Sequence, residues 1–269
     1  MNNKIRHILG LSGGKDSTAL ALFMRDKVLG MEYVFCDTGS ELDETYAYLN
    51  QVEAYLGKKI IRLNPSAGFD HWLKVFGGFL PAPNMRWCTK LLKLKPFEEY
   101  VGDGNVISYV GIRADEDRLG YISTKPNIKA VFPFKDHGVD YAGVMKILND
   151  SGIGLPPYLK WGRSHSGCYF CFFQKAIEWV RLLENHEEKF DKAQAYEKID
   201  ADSGKTFTWI QGMPLSELRK PDNVAAIKAR YEKAQSRKQA SRTDRRLIEL
   251  FAGMPQNEEE RPACFICQL

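Results

Sequence analysis

The N-terminal half of the chain alternates between short apolar runs and segments with helical spacing, and no other feature restricts the fold as much. Ile5 to Leu11 reads as a buried strand that runs into a glycine turn. Residues 16 to 28 read as a helix with Asp16 and Ser17 at its N-terminus. Tyr33 to Cys36 is a second apolar run, closed by Asp37-Thr38-Gly39. Leu42, Tyr46, Leu49, Val52 and Leu56 then recur at helical spacing, and Gly57 is placed to end that helix. Lys59 to Leu63 and Val106 to Ile112 predict two further strands. Strands and helices alternating at this spacing need parallel crossovers, so the expected class is α/β with a doubly wound parallel sheet. Ligands of such sheets lie beyond the carboxyl ends of the strands. The polar segments after the first, second and fourth strands all fall there.

From about residue 139 the pattern changes. Val139 to Asn149 predicts a helix, followed by a Gly/Pro-rich loop that contains Pro156-Pro157 and a CxxC pair. From about residue 174 the chain reads as mostly helical. The expected division is an α/β domain over 1–173 and a helical C-terminal region over 174–269 that ends in a second CxxC. A chain of 269 residues can bury a core without disulfide staples. No run of 18 apolar residues occurs, so no membrane span is expected. The first residues lack the long apolar segment of a signal peptide, and the expected location is the cytoplasm.

Net charge is +4, too small by itself to point to nucleic acid. It is unevenly spread. Between Val224 and Arg246 stand Lys228, Arg230, Lys233, Arg237, Lys238, Arg242, Arg245 and Arg246 against Glu232 and Asp244, a net of +6. That stretch predicts a long helix with a basic face. It serves either as a surface for DNA, tRNA or an acidic partner, or as a solvated helix face.

The loop after the first strand is Ser12-Gly13-Gly14-Lys15-Asp16-Ser17. Glycines let backbone amides approach an anion, and the start of the next helix favours phosphate through its free N–H groups and dipole. Asp16 follows Lys15 where a Walker A loop needs Ser or Thr, and the spacing does not match GxGxxG. These six residues resemble the signature of PP-loop ATP pyrophosphatases, which cleave ATP to AMP and pyrophosphate. The resemblance implies an adenine nucleotide alpha-hydrolase-like fold. It implies that Ser12, Gly13, Gly14 and Ser17 hold the pyrophosphate end, that Lys15 neutralises phosphate charge, and that Asp16 helps hold Mg²⁺.

Three further segments narrow the resemblance to the PAPS reductase family. Cys36-Asp37-Thr38-Gly39 with Glu41 and Glu44-Thr45 resembles a segment that lies beside the nucleotide in that family, which makes Asp37, Thr38 and Gly39 candidate ATP contacts. Gly111-Ile112-Arg113-Ala114-Asp115-Glu116-Asp117-Arg118 resembles its GxRxDE…R element. There Arg113 and Arg118 are candidate phosphate clamps, and Asp115 and Glu116 would orient them or bind metal. Arg86-Trp87-Cys88-Thr89-Lys90 before Lys93-Leu94-Lys95-Pro96, and Lys160 to Ser164 leading into Gly167-Cys168-Tyr169-Phe170-Cys171, match other elements of the group. The resemblance spans roughly residues 5 to 175. It is nearest to the small PAPS-reductase-like proteins of DNA phosphorothioation, the DndC and SspD type.

Six cysteines occur: Cys36, Cys88 and the pairs Cys168/Cys171 and Cys264/Cys267. CxxC pairs in a cytosolic chain point first to metal or cluster ligation. By resemblance to cluster-bearing sulfonucleotide reductases, the expected ligands of a [4Fe–4S] cluster are Cys88, Cys168, Cys171 and Cys264. Cys267 competes for the fourth place or carries sulfur. Zinc would accept the same ligands. Cys36, at the end of an apolar strand, reads as a core residue.

The resulting expectation is an ATP pyrophosphatase that adenylylates an acceptor for sulfur incorporation. Lys15, Asp16, Arg113 and Asp115 are its catalytic candidates, a cysteine desulfurase is its expected partner with other modification-system proteins, and DNA meets Lys228–Arg246. The rival expectations are sulfonucleotide reduction, tRNA thiolation and a nucleotide-dependent scaffold without turnover. The tail Ala263-Cys264-Phe265-Ile266-Cys267-Gln268-Leu269 does not match the Glu-Cys-Gly-type tail of the reductases.

Overall fold

A computed structural model describes residues 5–118, 125–199 and 206–248, with only the backbone of 199 and 238–248. The chain forms two compact units, one running through Cys171 and the other starting at Phe172.

The first unit is built on a parallel sheet. Its strands are β1 (Arg6–Gly10), β2 (Met31–Cys36), β3 (Ile60–Leu63), β4 (Val106–Tyr109) and β5 (Ile128–Val131), in the order β3-β2-β1-β4-β5. Leu9 of the central strand stands opposite Tyr33 on one side and Tyr109 on the other. A central parallel strand is covered on both faces, which is why Ile8–Gly10 and Tyr33–Cys36 are buried without alternation, while Arg6 and Glu32 pair at the half-buried starts of β1 and β2. The chain runs β1, β2, β3 towards one edge and then crosses to β4 beside β1. The switch point therefore lies between β1 and β4, where a ligand crevice is expected.

Helices α1 (Lys15–Met24) and α2 (Asp43–Leu56) follow the first two strands. Gly57, at φ 64°, ends α2 as expected from sequence. Helix α1 stops at Met24, not at 28, because the chain turns through Val28, whose carbonyl accepts from Met31 N as β2 begins. After β3 come α3 (Phe69–Val75), the short α4 (Trp87–Thr89), a π-helical turn over Lys90–Leu94, and α5 (Lys95–Val101). The π turn inserts one residue into the helical repeat and rotates the side chains that follow; Lys93 within it is buried. Then α6 (Pro133–Asp136) and α7 (Tyr141–Ser151) follow β5. Helix α7 packs on α1, and Val144 and Leu148 join Leu20, Leu49, Val52 and Phe134 in one core. Each such fully buried side chain contributes about 1.5–3 kcal/mol of transfer free energy.

The second unit is mostly helical, with α8 (Ala176–Asn185), α9 (Glu187–Ala195), α10 (Leu215–Leu218) and the long α11 (Pro221–Ile248). Sequence periodicity did not anticipate its two-stranded antiparallel pair, β6 (Lys198–Ile199) with β7 (Thr206–Phe207). Its core centres on Trp179, which packs against Phe190 and Trp209. Trp209 Nε1 donates to the Ala193 carbonyl at 2.8 Å. No helix among the described residues is long and apolar enough to cross a membrane.

Candidate active site

The loop between β1 and α1 is held by its own serines. Ser12 N donates to Ser17 Oγ at 3.2 Å, and the two hydroxyl oxygens stand 3.1 Å apart. Ser17 Oγ in turn donates to the Gly14 carbonyl at 3.2 Å, and Ser166 Oγ reaches Ser12 Oγ at the same distance. Gly13 has φ 70°, and a Cβ there would lie 2.9 Å from Thr45 Cγ2. Glycine is thus required for both its backbone and its missing side chain. The N-cap of α1 is Gly14, which has no side chain to cap the helix. The first-turn amides and the helix dipole therefore face this loop without a competing carboxylate cap. Lys15 N donates to the buried phenol of Tyr158 at 3.1 Å.

The β4 loop brings charge to the same place. Asp16 lies between two cations, with Oδ2 2.9 Å from Lys15 Nζ and Oδ1 3.1 Å from an Arg113 guanidinium nitrogen. Arg113 also meets Asp115 at 2.9 Å and Glu116 at 3.1 Å, and Glu116 pairs with Arg118. Burial penalises the Arg113 cation, but Asp16, Asp115 and Glu116 together outweigh that and raise its pKa. Gly111 permits this contact. A Cβ there would lie 3.0 Å from the Asp16 carbonyl oxygen, so the backbone after β4 passes against the first turn of α1. The structure thus gathers Ser12, Lys15, Asp16, Ser17, Arg113, Asp115 and Arg118 at the switch point.

The segment after β2 forms an adjoining wall. Asp37 Oδ1 accepts from Gly39 N at 2.9 Å and from Tyr46 Oη at 2.6 Å. Thr38 Oγ1 donates to Glu41 Oε1 at 3.0 Å and lies 3.1 Å from Cys168 Sγ. Tyr169 N donates to the Ser40 carbonyl at 2.9 Å, and Trp161 Nε1 to Glu44 at 2.8 Å. The CxxC segment is therefore docked on the β2 loop. Arg163, fully buried, stiffens it by donating to the carbonyls of Gly167 at 3.1 Å and Cys168 at 2.6 Å. Burial raises the pKa of Glu41, with Lys93 opposing, and burial lifts Cys168 well above the ordinary thiol range. Sequence reasoning did not single out Tyr46, Tyr158 or Ser166. Ser166 lies two residues before Cys168 and Tyr158 directly follows Pro156-Pro157, but nothing local says that they reach residues 12 and 15.

The cysteines divide. Cys36 is buried, its Sγ 3.6 Å from the Lys93 carbonyl, and burial pushes its thiol up to about 11, as suits a core residue. Cys88, Cys168 and Cys171 are of intermediate burial. Among the described residues, no three Cys, His, Asp or Glu side chains gather where they could hold a metal ion. Cys264 and Cys267 lie outside the described residues. The described thiols do not by themselves make a cluster site. In α11, Lys228 pairs with Glu184, whereas Arg230, Lys233 and Arg237 are exposed. The side chains of Lys238, Arg242, Arg245 and Arg246 lie outside the described set.

Residues 6–169 match the phosphoadenosine phosphosulfate reductase domain, and the match takes in the serine–glycine loop, the β2 wall, the Arg113 loop and Cys168. The chain belongs to this family. An uncharacterised protein of Methanocaldococcus jannaschii is 40% identical over 220 residues, covering 71% of this chain and 44% of that protein. An uncharacterised nin-region protein of Escherichia phage lambda is 28% identical, covering 68% of this chain and 70% of that protein. The tRNA-specific 2-thiouridylase MnmA of Actinobacillus succinogenes is 31% identical over 123 residues, or 40% of this chain and 31% of that enzyme. The chain spans less than half the length of the Methanocaldococcus protein. The phosphoadenylyl-sulfate reductase of Candida auris, solved as a phosphate complex, shares the fold with a TM-score of 0.50 at 18% identity, over 62% of this chain and 83% of that one. The family domain ends two residues before the boundary between the compact units, at Cys171.

Proposed function

We propose that this family member is an ATP pyrophosphatase that activates an acceptor for sulfur incorporation. The observation that carries the proposal is Asp16 held between Lys15 and Arg113 at the N-terminus of α1. That arrangement sets two cations and a helix dipole at the point where an α/β sheet binds its ligand. An acceptor oxygen would attack the α-phosphorus of ATP, the bond to the β-phosphate oxygen would break, and pyrophosphate would leave with AMP on the acceptor. Lys15, Arg113 and the loop amides would stabilise charge on the leaving pyrophosphate. The terminal sulfur of a donor persulfide would then attack the activated acceptor and displace AMP, and a second thiol would cleave the resulting S–S bond, leaving sulfur on the acceptor and a disulfide on the donor. Magnesium arriving with ATP would supply further charge neutralisation there. Asp16 would orient Lys15 and Arg113, and the lone pairs left on its two oxygens would let it help hold that metal.

Ser12→Ala and Asp16→Ala should abolish conversion of ATP to AMP and pyrophosphate, read by separating labelled products, while the protein stays folded. Formation of ADP and phosphate by the unmodified protein would refute the proposal.

The proposed acceptor is DNA, with a cysteine desulfurase as sulfur donor and Lys228–Arg246 as the polyanion surface. Exposed Arg230, Lys233 and Arg237 on α11 support it. Deleting the gene from its native host should remove phosphorothioate dinucleotides from digested DNA. Similarity to a tRNA thiouridylase supports a second reading, in which tRNA is the acceptor. Loss of thiolated nucleosides from tRNA with intact phosphorothioates would decide for it. Cysteine auxotrophy relieved by sulfite would decide for sulfonucleotide reduction instead.

A further inference from the structure

Tyr141 stands beside the phosphate loop with no part in the sequence motifs. It is the first residue of α7, and its position is fixed from both sides. Asp140 caps the helix by accepting from Gly143 N at 2.8 Å, and the Val139 carbonyl accepts from Ala114 N at 2.9 Å, which ties the helix start to the Arg113 loop. Further along α7, Val144 and Leu148 are fully buried and lock its rotation. The Tyr141 ring itself is 47% exposed, so packing does not account for its placement. Its centroid lies 5.9 Å from Lys15 Nζ and 5.5 Å from Arg113 Cζ.

Two cations aimed at one anion repel each other when the anion is absent. Asp16 relieves that from one side by taking Lys15 on Oδ2 and Arg113 on Oδ1. An aromatic face attracts cations through its quadrupole without accepting a proton or a formal bond. It can therefore hold both groups near the site and still leave them free to meet phosphate.

We propose that Tyr141 is a positioning residue of the anion seat, its ring fixing the Lys15 ammonium and the Arg113 guanidinium together for the pyrophosphate end of a nucleotide. The inference rests on the nucleotide reading above for the ligand's identity, though not for the geometry. Each exposed cation–π contact is worth roughly a two- to fivefold change in affinity, so losing both weakens anion binding about four- to twenty-fivefold.

The test compares the full chain with Tyr141→Phe, which keeps the ring, and Tyr141→Leu, which keeps apolar bulk and removes the quadrupole. Inorganic pyrophosphate is titrated calorimetrically, thermal melting checks the fold, and ATP cleavage is split into kcat and KM. Tyr141→Leu should bind pyrophosphate about four- to twenty-fivefold more weakly and raise KM for ATP, with unchanged melting; Tyr141→Phe should stay within about twofold of the unmodified protein. Equal affinity in Tyr141→Leu, or equal weakening in Tyr141→Phe, overturns the role of the ring and leaves the nucleotide reading standing. Ring-dependent pyrophosphate binding without AMP formation from ATP overturns the proposed reaction and leaves Tyr141 as assigned. An unmodified protein that binds no pyrophosphate overturns both.

Discussion

Replacing Gly111 with alanine should damage the site through a single added methyl group. Gly111 does not sit at positive φ, so alanine meets no backbone strain there. Fewer unfolded conformations would even stabilise the variant by about 0.4–1 kcal/mol. Against this, the new Cβ would lie 3.0 Å from the Asp16 carbonyl oxygen, 3.2 Å from the Asp16 carbonyl carbon and 3.5 Å from Ser17 N. All three are backbone atoms, so no side chain can rotate away. Overpacking of this kind costs about 1–3 kcal/mol, which leaves a net loss of about 1–2 kcal/mol. Relief requires the first turn of α1 to move away from β4 by a few tenths of an ångström. The Arg113–Asp16 bond, now 3.1 Å, would lengthen towards the limit of hydrogen-bonding range. ATP cleavage should therefore fall about tenfold or more, beyond what the stability change explains. Urea denaturation and initial rates of AMP release measure the two effects. Gly14→Ala is the control, because its Cβ would meet the Ser166 side-chain oxygen at 2.8 Å. Adding Ser166→Ala should recover part of the stability of Gly14→Ala, whereas Asp16→Ala should recover none for Gly111→Ala. A Gly111→Ala protein as stable and active as the parent would refute the close-approach argument.

Hydrogen bonding from Arg6 holds Glu32 below the usual carboxylate range despite its partial burial. A depressed carboxylate stabilises the fold above its unfolded pKa and loses that contribution as pH falls through the folded value, so urea midpoints should drop between about pH 5 and about pH 3 less steeply in Glu32→Gln than in the parent. Arg163→Ala removes two charged hydrogen bonds from a buried position and should destabilise by about 2–4 kcal/mol. Arg163→Lys should recover only part of this, because an ammonium lacks the fork that spans both carbonyls. The cluster expected from sequence needs a ligand outside the described residues to join Cys88, Cys168 and Cys171; if it forms, anaerobically purified protein should be brown, with about four irons per chain, and Cys88→Ser, Cys168→Ser and Cys171→Ser should each bleach it. One stoichiometric zinc in a colourless protein would end that expectation.

Much of the first unit could be read locally. The apolar runs became β1 and β2 because a central parallel strand has no solvent face. Gly57 ended α2 because only glycine takes αL without cost. Ser12 to Ser17 formed the expected strand-to-helix loop. Other parts carried no local sign. The π turn at Lys90–Leu94, which buries a lysine, breaks the 3.6-residue spacing that a periodicity argument needs. The two-residue strands β6 and β7 are too short to alternate.

The candidate site divides in the same way. Sequence alone determined β1 to β4, α1 and α2, the serine–glycine loop and the acidic and basic residues after β2 and β4, because burial period and turn chemistry act over a few neighbouring residues. Only the tertiary structure decided which of them meet. Arg113 reaches Asp16 from 97 residues away, Ser166 reaches Ser12 from 154, and Trp161 reaches Glu44 from 117. Those meetings follow from β4 pairing beside β1 and from the CxxC segment folding back over the β2 loop. Tyr141 came to the anion seat because α7 packs on α1, a contact fixed by Val144 and Leu148 in the shared core and not by any residue near the seat itself.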